Sequence, residues 1–334
     1  MLLLRDEDVR QAVQGADVVG GMEHMLSRPV EGALELPPRM TIDAAGGHGW
    51  LRLMPVIAYD TGYAGYKAMN FHPQQGVRYL IAMTSLSDGE LVAMVDADWI
   101  TAFRTAATAA IAVKHLARSG ADQITVIGSG TQARALLEAT THVLRPAKVR
   151  VYSPTAANRE RFAEEMGEQL GVPIEPADDL DAAVNAADVV LSAIRANGSP
   201  VIDAGALRDG QLVCGISSVR PEHREVDMSV WRSSRVVVDD LEHVRESGDG
   251  RAATELGLTD AADVPELWQV LQDPSLGRRN DDERVLFKSV GTAEQDMALA
   301  AIVLQRAREL GLGQDLGEFP SIRPIQSAQP AATR

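Results

Sequence analysis

The sequence predicts an α/β protein in which a Rossmann-type, doubly wound parallel sheet is inserted into a second domain of α+β type. Three observations lead to this prediction. The β-branched run at residues 124–127 enters a Gly-x-Gly-x-x-Ala turn at residues 128–133, and a helical pattern follows over residues 134–143. From residue 120 onward, short apolar strands alternate with helices. Before residue 96, the strands instead follow one another as an antiparallel meander.

Composition limits both the class of protein and its partners. The chain has 334 residues, of which 45% are hydrophobic, and a net charge of −15. This acidity, with no offsetting cluster of lysine or arginine, argues against nucleic acid and membrane surfaces as partners. The single cysteine, Cys214, excludes a disulfide framework. Since no signal peptide or membrane-spanning run is recognisable, a cytoplasmic protein is expected.

The first third of the chain is predicted to begin with a helix and continue as strands. An apolar stripe at helical spacing predicts one helix over residues 5–27. Antiparallel strands are expected at residues 50–57, 77–85 and 91–95. An alanine-rich helix beginning at Asp98 and ended by Gly120 then leads to the glycine-rich turn.

The middle of the chain has the rhythm of a parallel sheet. Strands are expected at residues 124–127, 148–153, 172–174, 189–194, 211–216 and 235–238. A long final helix is expected over residues 293–310. We assign residues 119–299 to the dinucleotide-binding domain and residues 1–118, completed by residues 300–325, to the other domain. The tail at residues 326–334 is expected to be disordered.

The glycine-rich turn predicts where a dinucleotide binds. Gly128 permits the sharp turn out of the strand, and Gly130 has no Cβ, so a pyrophosphate can approach the backbone. Ala133 is small enough for the following helix to pack on the strand. The first N–H groups of that helix, at Thr131 and Gln132, would face the phosphates at the positive end of the helix dipole.

The end of the second parallel strand predicts which dinucleotide is preferred. A carboxylate there would bind the ribose 2′-hydroxyl and repel a 2′-phosphate, and the sequence has none at that point. Ser153 and Thr155 can instead donate hydrogen bonds to a phosphate, and Arg159 can pair with it. NADP(H) is therefore favoured, and NAD(H) remains possible because neutral residues accept both. The alternative for Arg159 is a solvated helix residue.

Five stretches of sequence resemble the ornithine cyclodeaminase/mu-crystallin family. They are GYKAMNFHP at residues 65–73, FRTAATA at 103–109, GSGTQAR at 128–134, PEHREVD at 221–227 and FKSVG at 287–291. The resemblance extends from Arg39 to about Asp296. It implies a Rossmann domain beside a substrate domain that dimerises through its sheet, so a homodimer is expected. The family includes cyclodeaminases, an alanine dehydrogenase and ketimine reductases, so a small amino or imino acid is the expected substrate.

The resemblance also implies roles for particular residues. Arg39, Lys67 and Arg104 are expected to line the substrate pocket, with Lys67 and Arg104 catalytic. The resemblance implies that Thr105 approaches the cofactor and that Ser289 and Val290 lie near the nicotinamide. We assign Ser192, in the strand predicted at residues 189–194, to the cofactor site as well.

The chemistry of the pocket residues agrees with these roles. Arg39 and Arg104 can hold a carboxylate through bidentate hydrogen bonds. Lys67, desolvated and beside a cation, is expected to have a lowered pKa and to act as acid and base on nitrogen. The alternative for Arg39 is a solvated loop position after two prolines, and His72 is more simply explained as a turn cap. No metal site is expected.

One position departs from the cyclodeaminase pattern. In the cyclodeaminases of this family, an Asp stands two residues before the proline that corresponds to Pro221, and this chain has Val219 there. Because valine cannot exchange a proton, we favour an NAD(P)H-dependent oxidoreductase that reduces a cyclic ketimine or 2-imino acid, or oxidises an amino acid. The alternatives are an ornithine- or lysine-type cyclodeaminase with internally recycled NAD, and a non-catalytic, NADPH-dependent ligand-binding protein.

Overall fold

A computed structural model describes residues 1–15, 17–28, 32–195, 197–217 and 219–321. The strands are β1 (Leu2–Leu4), β2 (Leu34–Glu35), β3 (Met40–Asp43), β4 (Trp50–Ala58), β5 (Tyr63–His72), β6 (Gly76–Ser85), β7 (Leu91–Asp96), β8 (Gln123–Ile127), β9 (Lys148–Tyr152), β10 (Ile174–Ala177), β11 (Val189–Ser192), β12 (Leu212–Gly215), β13 (Arg235–Val238), β14 (Val285–Lys288) and β15 (Gln314–Asp315). The α-helices are α1 (Asp6–Val13), α2 (Val18–Leu26), α3 (Asp98–Leu116), α4 (Thr131–Thr141), α5 (Ala156–Leu170), α6 (Leu180–Asn185), α7 (Met228–Ser233), α8 (Leu241–Glu246), α9 (Gly248–Glu255), α10 (Leu267–Gln272) and α11 (Ala293–Leu310). Short 3₁₀ turns cover Ala45–Gly47 and Pro274–Leu276.

The first sheet is the mixed sheet that the opening segments predict. Its order is β15-β1-β7-β6-β5-β4-β2, and β3 also pairs with β4. Strands β4 to β7 are antiparallel neighbours, as the meander predicts. Strands β1 and β15 were not predicted from the sequence, because three leucines and a two-residue strand carry no alternation. β1 runs parallel to β7, and β15 closes the edge.

The second sheet confirms the predicted Rossmann-type fold. It has seven strands in the order β10-β9-β8-β11-β12-β14-β13, and every pair is parallel. The strand order reverses at β8, whose neighbours are β9 and β11. In open sheets of this kind, the crevice at the carboxyl ends of such strands is where dinucleotides bind.

The single helix expected over residues 5–27 is wrong. The structure has two helices, α1 and α2, with a break at Gln14 and Gly15. Gly15 has φ +69°, a left-handed conformation that ends a helix, and Asp17 caps the next helix by accepting a hydrogen bond from Gly20 N at 2.8 Å. The apolar stripe continues across the break, so periodicity alone did not reveal it.

Two helices join the sheets. α3 leads from β7 of the first sheet to β8 of the second and is almost completely buried, its alanines allowing α2, α4 and α11 to pack closely against it. α11, which follows the last strands of the second sheet, packs on α1, α2, β4 and β5. Residues before and after the parallel sheet therefore build one packed unit, as an inserted domain requires.

The described part of the chain contains no helix long and apolar enough to cross a membrane. Nor do its His, Cys, Asp and Glu side chains form a cluster that could hold a metal ion. The tail predicted to be disordered lies outside the described residues.

Candidate active site

A cavity of about 320 Å³ lies between the two sheets. The inner face of the first sheet and the N-terminal half of α3 form one side. The carboxyl ends of β11, β12 and β14, with the loops after them, form the other. This is the cleft between domains in which ligand sites are most often found.

Strand register explains which side chains reach the cavity from the first sheet. Met54 pairs with Lys67, and Arg52 pairs with Met69, which in turn pairs with Tyr79. Paired residues on neighbouring strands point to the same face, and alternate residues along a strand do so as well. All five residues therefore face the cavity, and a shift of register by one residue would turn Lys67 away from it.

Lys67 is held by a carboxylate from the final helix. Its Nζ lies 2.6 Å from Asp296 Oδ2, and the residue is only 2% exposed. Arg104, on α3, donates from Nε to the other oxygen of Asp296 at 2.9 Å and from Nη1 to Gln295 Oε1 at 2.8 Å. Burial, the largest influence, lowers the pKa of Lys67 to about 8; the Asp296 carboxylate opposes this fall and Arg104 adds to it.

Arg39 reaches the same cavity from the segment before β3. Its guanidinium donates to the backbone oxygen of Gly291 at 3.1 Å and, more weakly, to that of Val290 at 3.5 Å. Burial lowers the pKa of Arg39 below its ordinary value. Gly291 has φ +76°, and a Cβ there would collide with the guanidinium of Arg104. Glycine is therefore required at this point by both conformation and space.

Asp239, directly after β13, organises the loop that receives Arg39. Its carboxylate accepts hydrogen bonds from Ser289 Oγ and Gly291 N, both at 2.7 Å, and from Val290 N at 3.1 Å. It also accepts one from Gln295 Nε2 at 3.2 Å. Gln295 thus connects Asp239 with Arg104, and the loop is fixed at the cavity wall.

The glycine-rich turn has the shape that a dinucleotide needs. Gly128 has φ +114°, and a Cβ on it would collide with the backbone oxygen of Ala193 on the neighbouring segment. Gly130, the N-cap of α4, has an ordinary φ of −83°, and a Cβ there would meet no atom within 4 Å. The space beside Gly130 is open, so the backbone and the exposed Thr131 can approach a pyrophosphate. Gln132 lines the cavity next to the turn.

The residues expected at the 2′-position of the ribose surround the end of β9. Ser153 is buried, and Ser129 of the turn donates to its hydroxyl at 3.2 Å. Thr155 is exposed as the N-cap of α5, and Arg159 donates from Nη1 to the backbone oxygen of Ser153 at 3.0 Å. No carboxylate is among them.

Other predicted residues differ in their access to the cavity. Thr105, Ser289 and Val290 line it, although the Thr105 hydroxyl donates to the backbone of its own helix. The side chain of Ser192 is fully buried, and the residues after it, Ala193 and Ile194, line the cavity instead. His72 does not line it. Its Nδ1 accepts from Gln74 N at 3.3 Å, which matches the turn-cap interpretation.

Sequence reasoning missed four groups that matter at this site. Asp296 and Asp239 hold the cationic residues and their loop, and Arg52 and Arg220 are further cations in the cavity lining. An acid in the first turn of a helix, as Asp296 is, is usually explained by the helix dipole. The available signal for Arg52 was its spacing. It stands two residues before Met54, as Lys67 stands two residues before Met69, and residues two apart on a strand lie on the same face.

Comparison with known proteins agrees with the fold. Residues 1–311 match the model of the ornithine cyclodeaminase/mu-crystallin family. The structure is similar to that of Thermococcus litoralis Delta(1)-pyrroline-2-carboxylate reductase in complex with NADH and L-proline, with a TM-score of 0.88 and 29% identity, covering 95% of this chain and 100% of that one. It is also similar to an archaeal alanine dehydrogenase dimer with bound NAD, with a TM-score of 0.86 and 28% identity, covering 94% and 98%.

A sequence relative supports the same relationship. The Delta(1)-pyrroline-2-carboxylate reductase of Bacillus cereus is 31% identical over 289 residues, which cover 84% of this chain and 88% of the relative. The similarity thus extends beyond the motifs that suggested the family and covers most of the chain.

The two glycines of the turn are expected to respond differently to substitution. Gly130→Val should leave the melting temperature close to that of the wild type, because the added atoms enter open space, yet weaken dinucleotide binding by tenfold or more. Gly128→Ala should instead lower the free energy of unfolding by about 1–3 kcal/mol, because its backbone is left-handed and its Cβ collides. Thermal unfolding and NADPH titration measure the two effects. Unchanged NADPH affinity in Gly130→Val would contradict the phosphate role of the turn.

Proposed function

The chain belongs to the ornithine cyclodeaminase/mu-crystallin family, and from this premise we propose that it is an NAD(P)H-dependent oxidoreductase that reduces a cyclic ketimine or 2-imino acid, or oxidises the corresponding amino acid. One observation carries the proposal. A buried lysine, Lys67, faces the interdomain cavity with a pKa of about 8, beside two arginines that can orient a carboxylate. A hydride-transfer site for a carboxylate-bearing C=N compound needs these groups.

Arg39 and Arg104 bind and orient the carboxylate in this proposal. Arg104 uses Nε and Nη1 within the protein, and in the described part of the chain its Nη2 has no such bond. The remaining N–H group of Nη1 and both N–H groups of Nη2 can therefore serve a ligand. Arg39 is anchored on backbone oxygens, so its guanidinium is held in place before the substrate arrives.

Lys67 handles the proton on the substrate nitrogen. When bound, the nicotinamide supplies a hydride to the imine carbon or accepts one from the amino acid. Lys67 donates a proton to the nitrogen in the first direction and removes it in the second. A pKa of about 8 allows both roles near neutral pH. Asp296 keeps the protonated form populated against the penalty of burial.

The cavity lining argues against a cyclodeaminase. Val219 lines the cavity at the position where the family resemblance puts the proton-handling Asp. Among the described residues that line the cavity, none is an Asp or Glu. A purely ligand-binding protein is disfavoured because Arg39, Lys67 and Arg104 are all present and meet in one cavity.

Removal of the Lys67 amine should abolish proton transfer and spare the cofactor. In Lys67→Met we expect kcat to fall by about 10²–10⁴-fold, with NADPH affinity nearly unchanged. Piperideine-2-carboxylate and pyrroline-2-carboxylate are suitable substrates, with turnover measured by loss of NADPH absorbance.

The rates of both directions should depend on the protonation of Lys67. The reduction by wild type should slow as pH rises through about 8, since it needs protonated Lys67, and amino acid oxidation should accelerate. In Asp296→Asn both midpoints should move to lower pH.

Lys148→Met, which removes a lysine at the surface, serves as the control for loss of charge. Equal loss of turnover and NADPH affinity in Lys67→Met would contradict the role of Lys67. Release of ammonia from ornithine without net redox change would favour the cyclodeaminase. Tight NADPH binding with no turnover of any imine would favour the binding protein.

NADP(H) is the preferred cofactor in this proposal, and NAD(H) is also accepted. The two structural neighbours described above are in complex with NADH and NAD, so they support the dinucleotide but not the phosphate. Support for NADP(H) comes from Ser153, Thr155 and Arg159 at the end of β9, where a cation and two hydroxyls occur and no carboxylate does.

A carboxylate introduced at the end of β9 should reverse this preference. In Ser153→Asp we expect the KM for NADPH to rise by about tenfold or more through charge repulsion with the 2′-phosphate. The KM for NADH should change little. Ser153→Asn introduces a neutral side chain of the same shape as aspartate, and it should keep the wild-type ratio of the two KM values. A wild-type enzyme that uses NADH alone would overturn the preference.

A homodimer formed through the first sheet is also part of the proposal. The sheet face turned away from the cavity carries exposed apolar side chains, with Met40 50%, Ile42 54% and Tyr66 43% exposed. Met40 and Ile42 pair with Leu53 and Leu51, so the patch continues from β3 onto β4. A second copy of the chain is the favoured occupant, because the similar alanine dehydrogenase is a dimer.

A charge placed in this patch should separate the subunits. In sedimentation experiments we expect the wild type to have twice the chain mass of 35.9 kDa. Ile42→Glu should have the mass of a single chain. Leu256→Glu is a matched control, since Leu256 is similarly exposed but lies on the parallel-sheet unit. A monomeric wild type, or a dimer that survives Ile42→Glu and is lost in Leu256→Glu, would contradict this interface.

A further inference from the structure

The cavity contains two more cations than a single carboxylate requires. Besides Arg39, Lys67 and Arg104, it is lined by Arg52 and Arg220. These two come from opposite walls, Arg52 from β4 of the first sheet and Arg220 from the loop after β12 of the second. The proposed function gives neither of them a role.

Arg52 is buried and lacks an acidic partner. It is 9% exposed, and its one side-chain hydrogen bond in the described residues runs from Nε to Thr41 Oγ1 at 2.8 Å. No described carboxylate forms an ion pair with it. Burial, reinforced by the charges of Arg39 and Arg220, lowers the pKa of Arg52 to about 10. Buried arginines are usually paired, so this one is set for an anion that comes from outside the chain.

Arg220 approaches the same place from the other wall. The guanidinium carbons of Arg52 and Arg220 lie 5.2 and 5.7 Å from the centre of the Trp50 ring. Trp50 is itself stacked on Phe71, which holds in place the ring that both cations contact. The one described acid near Arg220 is Glu222, at 4.0 Å and largely exposed, so it gives little compensation.

The charge balance points to a substrate with a second carboxylate. Five cations line the cavity, and among the described residues the only buried carboxylate that forms ion pairs with them is Asp296, which pairs with Lys67 and Arg104. One substrate carboxylate between Arg39 and Arg104 leaves Arg52 and Arg220, which both contact the Trp50 ring, without a buried carboxylate as partner. Two arginines that reach the same ring from the two walls of a cavity can share one further carboxylate.

We propose that Arg52 and Arg220 bind the side-chain carboxylate of a 2-imino dicarboxylic acid, or of the amino dicarboxylic acid that it yields. This inference rests on the proposed function and names the substrate class of the same site. Trp50 lies beside both guanidiniums, and the apolar Met54 and Met69 lie on the same face of the sheet as Arg52. The carboxylate at C2 remains with Arg39 and Arg104.

Acid and amide pairs test the second carboxylate directly. The probes are L-aspartate with L-asparagine and L-glutamate with L-glutamine, oxidised with NADP+ or NAD+, because each pair differs in one charge and little in shape. For at least one pair we expect kcat/KM of the wild type to favour the acid by about tenfold or more. Arg52→Met should remove that preference and leave kcat/KM for the amide within about threefold of the wild-type value. Arg220→Met, on a half-exposed side chain, should do the same and guards against a folding defect in the first variant. Arg145 is exposed in the segment between α4 and β9, so Arg145→Met is the control and should change neither value.

A binding experiment separates failure of this inference from failure of the proposed function. Calorimetry of the same amino acids with enzyme loaded with NADPH allows no turnover, because the amino acid and NADPH are both in the reduced form and neither can accept a hydride. Selective binding of the acid without turnover of any substrate would support the second anion site and reject the reductase. Turnover of piperideine-2-carboxylate, with acids and amides treated alike, would support the reductase and overturn the inference. Weaker NADPH binding in Arg52→Met would assign the two arginines to the cofactor and overturn it as well.

Discussion

The site depends on one carboxylate, Asp296, which binds both Lys67 and Arg104 in a buried position. Two buried cations side by side would repel each other, and removal from water would penalise both. Asp296 compensates for one of the two charges and leaves the set with a net charge of +1. That remaining charge matches one substrate carboxylate, so the pocket is complete only when the ligand is present. The same carboxylate holds the pKa of Lys67 above the value that burial alone would produce.

The second constraint is that the site is divided between two sheets. Lys67 belongs to β5, Arg104 to α3 and Asp296 to α11. Residues 289–291 directly follow β14 of the parallel sheet. Asp239 fixes this loop by accepting from its backbone, and the loop oxygens then accept from Arg39. The loop of the parallel sheet thereby holds Arg39, and in the proposed function the distance between substrate and cofactor is set by packing between the two sheets.

The sequence predicted the parallel sheet well because its signals are local. A strand, the Gly128 turn and a helix are adjacent in the chain, and hydrophobic periodicity reports them directly. The break after Val13 escaped because Gly15 falls inside an unbroken apolar stripe. Asp296 and Asp239 escaped for a different reason. Their importance comes from contacts with Lys67 and Gly291, and spacing along the chain does not encode which distant cation an acidic residue will meet.

The electrostatics of the whole molecule give the cavity a further role. A chain with net charge −15 repels small anions from most of its surface. Arg39, Arg52, Lys67, Arg104 and Arg220 nevertheless converge on one cavity of about 320 Å³. Because the walls of such a cavity are poorly polarisable, the field of these charges is concentrated at its opening. In the proposed function, an anionic substrate is therefore attracted to this cavity. The same contrast would let an acidic protein use the two anionic ligands of that function, an imino acid and a dinucleotide, in adjacent sites.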